Sequence, residues 1–276
     1  MRSQVIQAEL DANAYTRAMA SITRAGVRLH HVEAGSGDPP FVFVHGWCCD
    51  HTFFQPQFDL FKASHRVMAM DLRGCGESDK PAEGYDIPTL TDDVAALCRE
   101  LGMSNIVLIG HSLGGMIGVE MAARHPSLVG AVVAVDPGPI TITPESRAIL
   151  EALLAGLEGP DGVAVRRTYV DDMFLPTDDA NVRRKISETM NAVPMEIAAA
   201  VIRGAIEWNG VGALKLGDAP VLVISSGPGG SNDPARLRAA RANVQIGITI
   251  GAGHFIQFDA RDQVNAMIER FMQNLS

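Results

Sequence analysis

The stretch Gly110-His111-Ser112-Leu113-Gly114-Gly115 decides the fold of this 276-residue chain. It follows an uninterrupted apolar run, residues 106–109, and precedes a run with helical periodicity, residues 116–124. This order predicts a strand, a sharp turn and a helix, with Gly-x-Ser-x-Gly at the turn. The flanking glycines let strand and helix approach closely, and the serine hydroxyl would lie where the helix dipole and free N–H groups favour negative charge. We therefore predict that Ser112 is a nucleophile.

A serine hydroxyl needs a base within hydrogen-bond reach, because it is a weak nucleophile at neutral pH. Among eight histidines, His254 is the best candidate, since it lies in Gly251-Ala252-Gly253-His254-Phe255, just after the last predicted strand. Parallel strands end at the same edge of a sheet, so this loop can reach the serine turn. His51 lies near the expected mouth of the site, and its role is left open.

Two aspartates are candidates for the acid that would orient this base. The acid is expected between the serine and the histidine in chain order. Asp136 ends the predicted strand that follows the nucleophile's helix directly, so its carboxylate should lie beside the serine. Asp233 lies in the loop after a later strand, the commoner place for the acid, but the usual position in that loop holds Gly230. We prefer Asp136 and keep Asp233 as the alternative.

Two backbone N–H groups are expected to form an oxyanion hole for a tetrahedral intermediate. Leu113 supplies one, because it follows the nucleophile directly. Trp47 supplies the other, because His45-Gly46-Trp47 follows the apolar strand 41–44 and the glycine lets the backbone turn inward. The ring of Trp47 could also form a wall of the pocket.

Apolar strands alternate with helical patterns along most of the chain. The predicted strands are 27–32, 41–45, 67–70, 106–109, 131–135, 221–225 and 244–250, and the clearest helices between and after them are 89–101, 116–124 and 264–275. Continuous apolar strands alternating with helices are typical of a parallel sheet covered by helices on both faces. The fold class is therefore α/β.

One stretch breaks this rhythm, because helical patterns alone occupy it. They cover 145–157, 162–174, 180–191 and 195–208, and prolines separate them. We expect a helical cap over residues 139–217, inserted into a core made of residues 1–138 and 218–276. Residues 1–20 are expected to form a polar, weakly helical arm.

Composition excludes several classes of function. The chain is 47% hydrophobic and 20% charged with a net charge of −9, and its basic residues form no stripe, so nucleic acid is not an expected partner. No window is apolar enough to span a membrane, and no secretory signal is evident. Among the four cysteines, Cys48, Cys49, Cys75 and Cys98, the adjacent Cys48 and Cys49 are a poor disulfide pair and no spacing resembles a zinc site, so we expect a reducing cytoplasm.

Taken together, these motifs resemble the α/β-hydrolase family. The similarity rests on Gly-His-Ser-Leu-Gly-Gly, His-Gly-Trp, Gly-x-Gly-His, and Asp71-Leu72-Arg73-Gly74-Cys75-Gly76-Glu77-Ser78, and it runs from about residue 22 to the C-terminus outside the cap. The resemblance implies an eight-stranded sheet, a lid of helices after the sixth strand, no metal and no organic cofactor. Asp136 lies 24 residues after Ser112, the place from which zearalenone lactonases take their acid. Dehalogenases and epoxide hydrolases of the family use an aspartate nucleophile, whereas this chain has a serine.

We expect a serine hydrolase that cleaves a carboxylic ester or lactone through an acyl-enzyme. The substrate should be a small, moderately apolar molecule, and a homo-oligomer is compatible with the sequence. One alternative is a cofactor-free ring-cleaving dioxygenase or C–C bond hydrolase, because Gly46-Trp47-Cys48-Cys49-Asp50-His51 is similar to a segment of cofactor-free dioxygenases. A second alternative is a non-catalytic receptor for a small ligand.

Overall fold

The computed structural model describes residues 20–227 and 231–275. The arm predicted over residues 1–20 therefore lies outside the described residues, except for Ala20, which begins the first strand. Gly230, which bears on the choice of acid, also lies outside them.

The described strands form one eight-stranded sheet in the order β1-β2-β4-β3-β5-β6-β7-β8. The first two pairings, β1 with β2 and β2 with β4, are antiparallel, and the other five are parallel. The strands are β1 Ala20–Arg24, β2 Val27–Ala34, β3 Phe41–Val44, β4 Val67–Met70, β5 Ile106–His111, β6 Val129–Val135, β7 Val221–Ser225 and β8 Gln245–Ile248. The expected mostly parallel, eight-stranded α/β-hydrolase sheet is confirmed.

Helices connect these strands and cover both faces of the sheet. They are α1 Gln55–Phe61, preceded by a short 3-10 turn at His51–Phe54, α2 Ile87–Glu100, α3 Leu113–Arg124, α4 Pro144–Glu158, α5 Gly162–Asp171, α6 Ala180–Ala192, α7 Met195–Glu207, α8 Gly210–Leu216, α9 Pro234–Ala240, α10 Ile256–Asp259 and α11 Arg261–Gln273. No helix in the described ranges has the length and apolarity needed to cross a bilayer.

The core strands are buried on both faces, which explains their continuous apolar sequences. In β3, Val42 and Val44 pack in one cluster with side chains of α2 and α3, whereas Phe41 and Phe43 pack in a second cluster with side chains of α1 and α11. A strand places successive side chains on opposite faces, so each residue of this strand serves one of the two clusters. Because β3 to β8 pair in parallel, their carboxyl ends lie at one edge of the sheet.

Five consecutive helices, α4 to α8, lie between β6 and β7. Helix α4 begins with a capping box, in which Thr143 and Ser146 each bond the other's backbone N–H. The fifth of them, α8, was not predicted, and it packs against α3. We call the segment from α4 to α8 the insertion. The indole Nε1 of Trp47, in the loop after β3, donates a hydrogen bond of 2.9 Å to the Ala198 carbonyl of α7, so this loop is bonded directly to the insertion.

Candidate active site

Ser112 lies on a strained turn between β5 and α3. Its φ of +51° and ψ of −112° are in a region that non-glycine residues rarely adopt. An added Cβ on Gly110 would lie 2.1 Å from the carbonyl oxygen of Gly114, and one on Gly114 would lie 2.0 Å from that of Val44. The two glycines are therefore required by close backbone approach. The Ser112 side chain makes no hydrogen bond to the helix that it precedes, so its hydroxyl is not engaged as a cap.

The imidazole of His254 is bonded to the carboxylate of Asp136. Nδ1 of the histidine lies 2.6 Å from Oδ2 of the aspartate. The other oxygen, Oδ1, accepts the backbone N–H of Ser226 at 2.7 Å, so both carboxylate oxygens have partners. An ionised carboxylate can only accept, so Nδ1 carries a proton and Nε2 keeps a lone pair in the neutral ring. Nε2 is then the nitrogen available to take a proton.

Asp233, the alternative acid, has a different position and a different task. It is the N-cap of α9, and its Oδ1 accepts the backbone N–H groups of Ala235 and Arg236 at 2.7 and 3.1 Å. Its side chain reaches the wall of the same cavity as Ser112. Of the two candidate acids, the structure brings Asp136 to the histidine.

The loop that carries His254 is held by backbone contacts on two sides. Its N–H donates to the carbonyl of Met173 in the insertion at 2.8 Å, and its carbonyl accepts from Nε2 of His111 at 3.0 Å. Burial, and then the neighbouring His254, hold the pKa of His111 well below its ordinary value, so this ring is a neutral donor. His111 therefore fixes the loop of the base beside the nucleophile turn.

The two backbone N–H groups predicted for the oxyanion hole are free to bind a ligand. Neither Trp47 nor Leu113 donates its N–H to any group within the described ranges. Gly46 lies against the nucleophile turn, since an added Cβ there would be 3.2 Å from Cβ of Ser112. The loop of Trp47 and the first turn of α3 thus flank the serine.

A cavity of about 540 Å³ contains these groups. Ser112, His254, Trp47 and Leu113 all line it. No hydrogen bond joins the Ser112 hydroxyl to His254 among the described residues, although both side chains line this cavity. The remaining wall of the cavity is largely apolar, and most of it comes from the segment between β6 and β7. The residues of this wall are Met116, Gly138, Pro139, Thr143, Glu145, Ser146, Ile149, Leu150, Tyr169, Met173, Val201, Ile202, Ala205, Ser231, Asp233 and Arg236.

His51, whose role the sequence left open, belongs to a buried network centred on Asp71. Nδ1 of His51 and Nδ1 of His30 each lie 2.9 Å from a carboxylate oxygen of Asp71, which also accepts the N–H groups of His51 and Glu77. Burial alone would raise the pKa of Asp71, but the hydrogen bonds from the two histidines hold it well below its ordinary value. The residue types could suit a metal, yet ligand atoms around a tetrahedral zinc ion lie about 3.3 Å apart. The 2.9 Å separations are direct hydrogen bonds.

The four cysteines are free and buried. Burial raises the pKa of the Cys48 and Cys49 thiols well above the ordinary value and that of Cys75 to about 12. Because the thiolate is the reactive form, none of these three is poised as a nucleophile.

A family model described as alpha/beta hydrolase fold matches residues 39–261. The chain belongs to this family. It is a hydrolase, and the resemblance that the motifs indicated is confirmed.

Its similarity to individual family members varies in extent. The chain is 28% identical over 240 residues to a 2-(acetamidomethylene)succinate hydrolase of Mesorhizobium japonicum. The aligned region covers 83% of this chain and 86% of that protein. The chain is also 36% identical over 137 residues to epoxide hydrolase 4 of Mus musculus. That aligned region covers 48% of this chain but only 38% of the mouse protein. An esterase from Exiguobacterium antarcticum has the same fold, with a TM-score of 0.82 and 18% identity over 93% of this chain and all (100%) of the esterase.

Proposed function

We propose that this hydrolase cleaves a carboxylic ester or a lactone through an acyl-enzyme, with Ser112 as nucleophile, His254 as general base and Asp136 as the orienting acid. The observation that carries the proposal is the 2.6 Å contact between His254 Nδ1 and Asp136 Oδ2, with the serine turn lining the same cavity. This is the nucleophile, base and orienter arrangement that activates a serine.

In the first half-reaction, the carbonyl carbon of the substrate would lie beside the Ser112 hydroxyl. Nε2 of His254 takes the hydroxyl proton as Oγ attacks the carbonyl carbon, and the carbonyl oxygen becomes an oxyanion. The N–H groups of Trp47 and Leu113 stabilise that oxyanion because they need no reorientation. Asp136 stabilises the imidazolium, which then gives its proton to the departing alkoxide.

In the second half-reaction, water releases the acyl group by the same steps. His254 takes a proton from water, the hydroxide attacks the acyl carbonyl, and the Ser112 oxygen leaves and regains its proton. The products are a carboxylic acid and an alcohol. With a lactone both groups remain in one molecule, so the alkoxide of the first step stays tethered in the cavity.

We also propose that residues 139–217 act as a cap over the site, and that residues 1–138 and 218–276 form the core. Leu150 of α4, Tyr169 of α5 and Ile202 of α7 all line the cavity, so the insertion supplies much of its wall. The rings of Tyr169 and Trp47 pack in a T-shaped arrangement with centroids 5.8 Å apart. A cavity of about 540 Å³ with such walls suits a small substrate with a moderately apolar acyl or ring group.

The serine separates this proposal from two other chemistries on the same fold. Epoxide hydrolases of the family attack through an aspartate, and the matching position here is Ser112. In a cofactor-free dioxygenase the His254–Asp136 pair would act as base without the serine. The segment that suggested this alternative contributes Trp47 to the cavity, whereas the Nδ1 of its His51 is bonded to Asp71.

The test compares the Ser112→Ala variant with a Ser231→Ala control, because Ser231 is an exposed serine on the wall of the same cavity. We expect a fluorophosphonate probe to label the wild type and the control but not Ser112→Ala. Hydrolysis of p-nitrophenyl butyrate should fall by roughly 10³-fold or more only in Ser112→Ala. Unchanged ester turnover in that variant would refute the proposal. Oxygen consumption with a hydroxyquinolone that survives Ser112→Ala but not His254→Ala would favour the dioxygenase.

A further inference from the structure

Asn232 makes an unusually complete set of hydrogen bonds to one short backbone segment. Its Nδ2 donates to the carbonyls of Pro137 and Gly138, both at 3.0 Å. Its Oδ1 accepts the N–H groups of Ile140 and Thr141 at 2.7 and 3.3 Å. A primary amide offers two donors and two acceptor positions, so this buried side chain is fully used.

The segment that Asn232 holds, residues 137–141, follows the proposed acid directly. It runs from Asp136 to the capping box that begins α4, and it has no regular secondary structure. The four backbone groups bonded to Asn232 have no other hydrogen-bond partner among the described residues. Pro137, Ile140 and Thr141 are buried, so without the amide their polar backbone groups would be unsatisfied, and each such group costs free energy.

Asp136 itself needs an external restraint, because its φ is +38°. A non-glycine residue in this region persists only where its surroundings determine the backbone. Its N–H is bonded to the carbonyl of Ile224 at 2.6 Å, and two residues later Gly138 donates to the carbonyl of Ser112 at 3.2 Å. Asn232 bonds the same turn through its side-chain amide.

Asn232 is anchored by its own neighbour. Asp233 caps α9 with its side chain, which fixes the start of this helix directly after Asn232. The cap explains why a carboxylate stands at position 233 without contact to the base.

We propose that Asn232 is a positioning residue of the hydrolase, which holds the 137–141 turn so that the Asp136 carboxylate faces His254. This inference rests on the proposed function, since it requires Asp136 to act through His254. Asn232 does not touch the reacting atoms.

The experiment is a double-mutant cycle with Asn232→Ala, Asp136→Asn and the double variant. The readouts are the second-order rate of fluorophosphonate labelling, and kcat and KM with p-nitrophenyl butyrate. A displacement of about 1 Å can cost roughly 10²-fold in rate. We therefore expect Asn232→Ala to slow labelling roughly 10- to 100-fold with KM changed less than about 3-fold. In the Asp136→Asn background the same substitution should cost less than about 3-fold, because the group it acts through is gone.

A matched control is Asn209→Ala, which also removes an asparagine bonded to backbone. Asn209 accepts the N–H of Gly212 at the start of α8, outside the catalytic cavity. We expect its labelling rate to stay within about 2-fold of the wild type. If Asn232→Ala does not fold, as judged by circular dichroism, Asn232→Asp replaces it under the same criteria. That variant keeps an oxygen for the two N–H groups and removes both donors.

The outcomes separate the two proposals. An equal loss from Asn232→Ala in both backgrounds would make the residue merely structural and overturn the inference, as would no loss in either. Wild-type labelling of Asp136→Asn would instead refute the proposed role of the acid.

Discussion

The replacement Asp136→Asn should abolish most activity by reversing the tautomer of the base. The backbone N–H of Ser226 donates to Oδ1 of Asp136, so the variant amide is held with its oxygen toward Ser226. Its NH₂ group then points at His254 Nδ1, which lies 2.6 Å from Oδ2 in the wild type. A donor there requires Nδ1 to accept, so the proton moves to Nε2 and the ring cannot take the serine proton.

The loss expected from a wrong tautomer with intact geometry is roughly 10⁴-fold in kcat, or about 5.4 kcal/mol in activation free energy. Steady-state hydrolysis of p-nitrophenyl butyrate measures it, with circular dichroism to show that the variant is folded. KM should change little, because the acid contacts the base and not the substrate.

Asp233→Asn is the matched control, because Asp233 lies on the wall of the same cavity and caps α9. Asparagine is also a good N-cap, so kcat should remain within about 3-fold of the wild type. A kcat of Asp136→Asn within about 10-fold of the wild type would refute the reasoning, and so would a large loss confined to Asp233→Asn.

Three further substitutions test the fold around the site. Burial, and then the nearby Asp178 and Asp179, raise the pKa of Asp259 to about 7. Because the folded state then binds this proton more tightly than the unfolded state, the free energy of unfolding should decrease as the pH rises from about 4 to 7. Allowing for its partial exposure, Asp259→Asn should be about 1 to 2 kcal/mol more stable than the wild type in urea at pH 8 and no more stable at pH 4, and a pH-independent difference would contradict this. Gly114→Ala places a Cβ 2.0 Å from a β3 carbonyl oxygen and should lower the unfolding free energy by about 3 kcal/mol or more. Gly227→Ala, whose Cβ would have no described residue within 4 Å, should be nearly neutral, and equal urea midpoints for the two variants would contradict this. Trp47→Phe removes the hydrogen bond to Ala198 and should cost about 1 to 2 kcal/mol in stability with kcat within about 3-fold, because the backbone N–H remains; a loss of kcat above 100-fold would show that the indole itself is catalytic.

The nucleophile turn and the base could be found from the sequence because their requirements are local. Only glycine fits at 110 and 114, where the nearest backbone atoms would be about 2 Å from a Cβ. The core strands could also be predicted, because burial on both faces of the sheet requires continuous apolar sequences. By contrast, β1 and the short helices α1, α8, α9 and α10 were not predicted from the sequence. The residues of β1 are mostly exposed and pair with β2 through the backbone, so they carry no apolar period.

The choice between Asp136 and Asp233 shows where local reasoning ends. Both follow a strand of the same sheet edge, and the difference is the direction of each side chain in the folded chain. Nothing in the sequence indicated that Asn232 contributes to the site, because its partners are backbone groups more than 90 positions away in the chain.

The sequence by itself determined the α/β-hydrolase fold, the turn at Ser112 and a histidine loop at the same edge, because steric limits and apolar periodicity act between near neighbours. Only the tertiary structure decided which carboxylate meets His254, what His51 binds and how the insertion shapes the cavity. Those features depend on hydrogen bonds and packing between residues far apart in the chain, whose geometry exists only once the sheet has assembled.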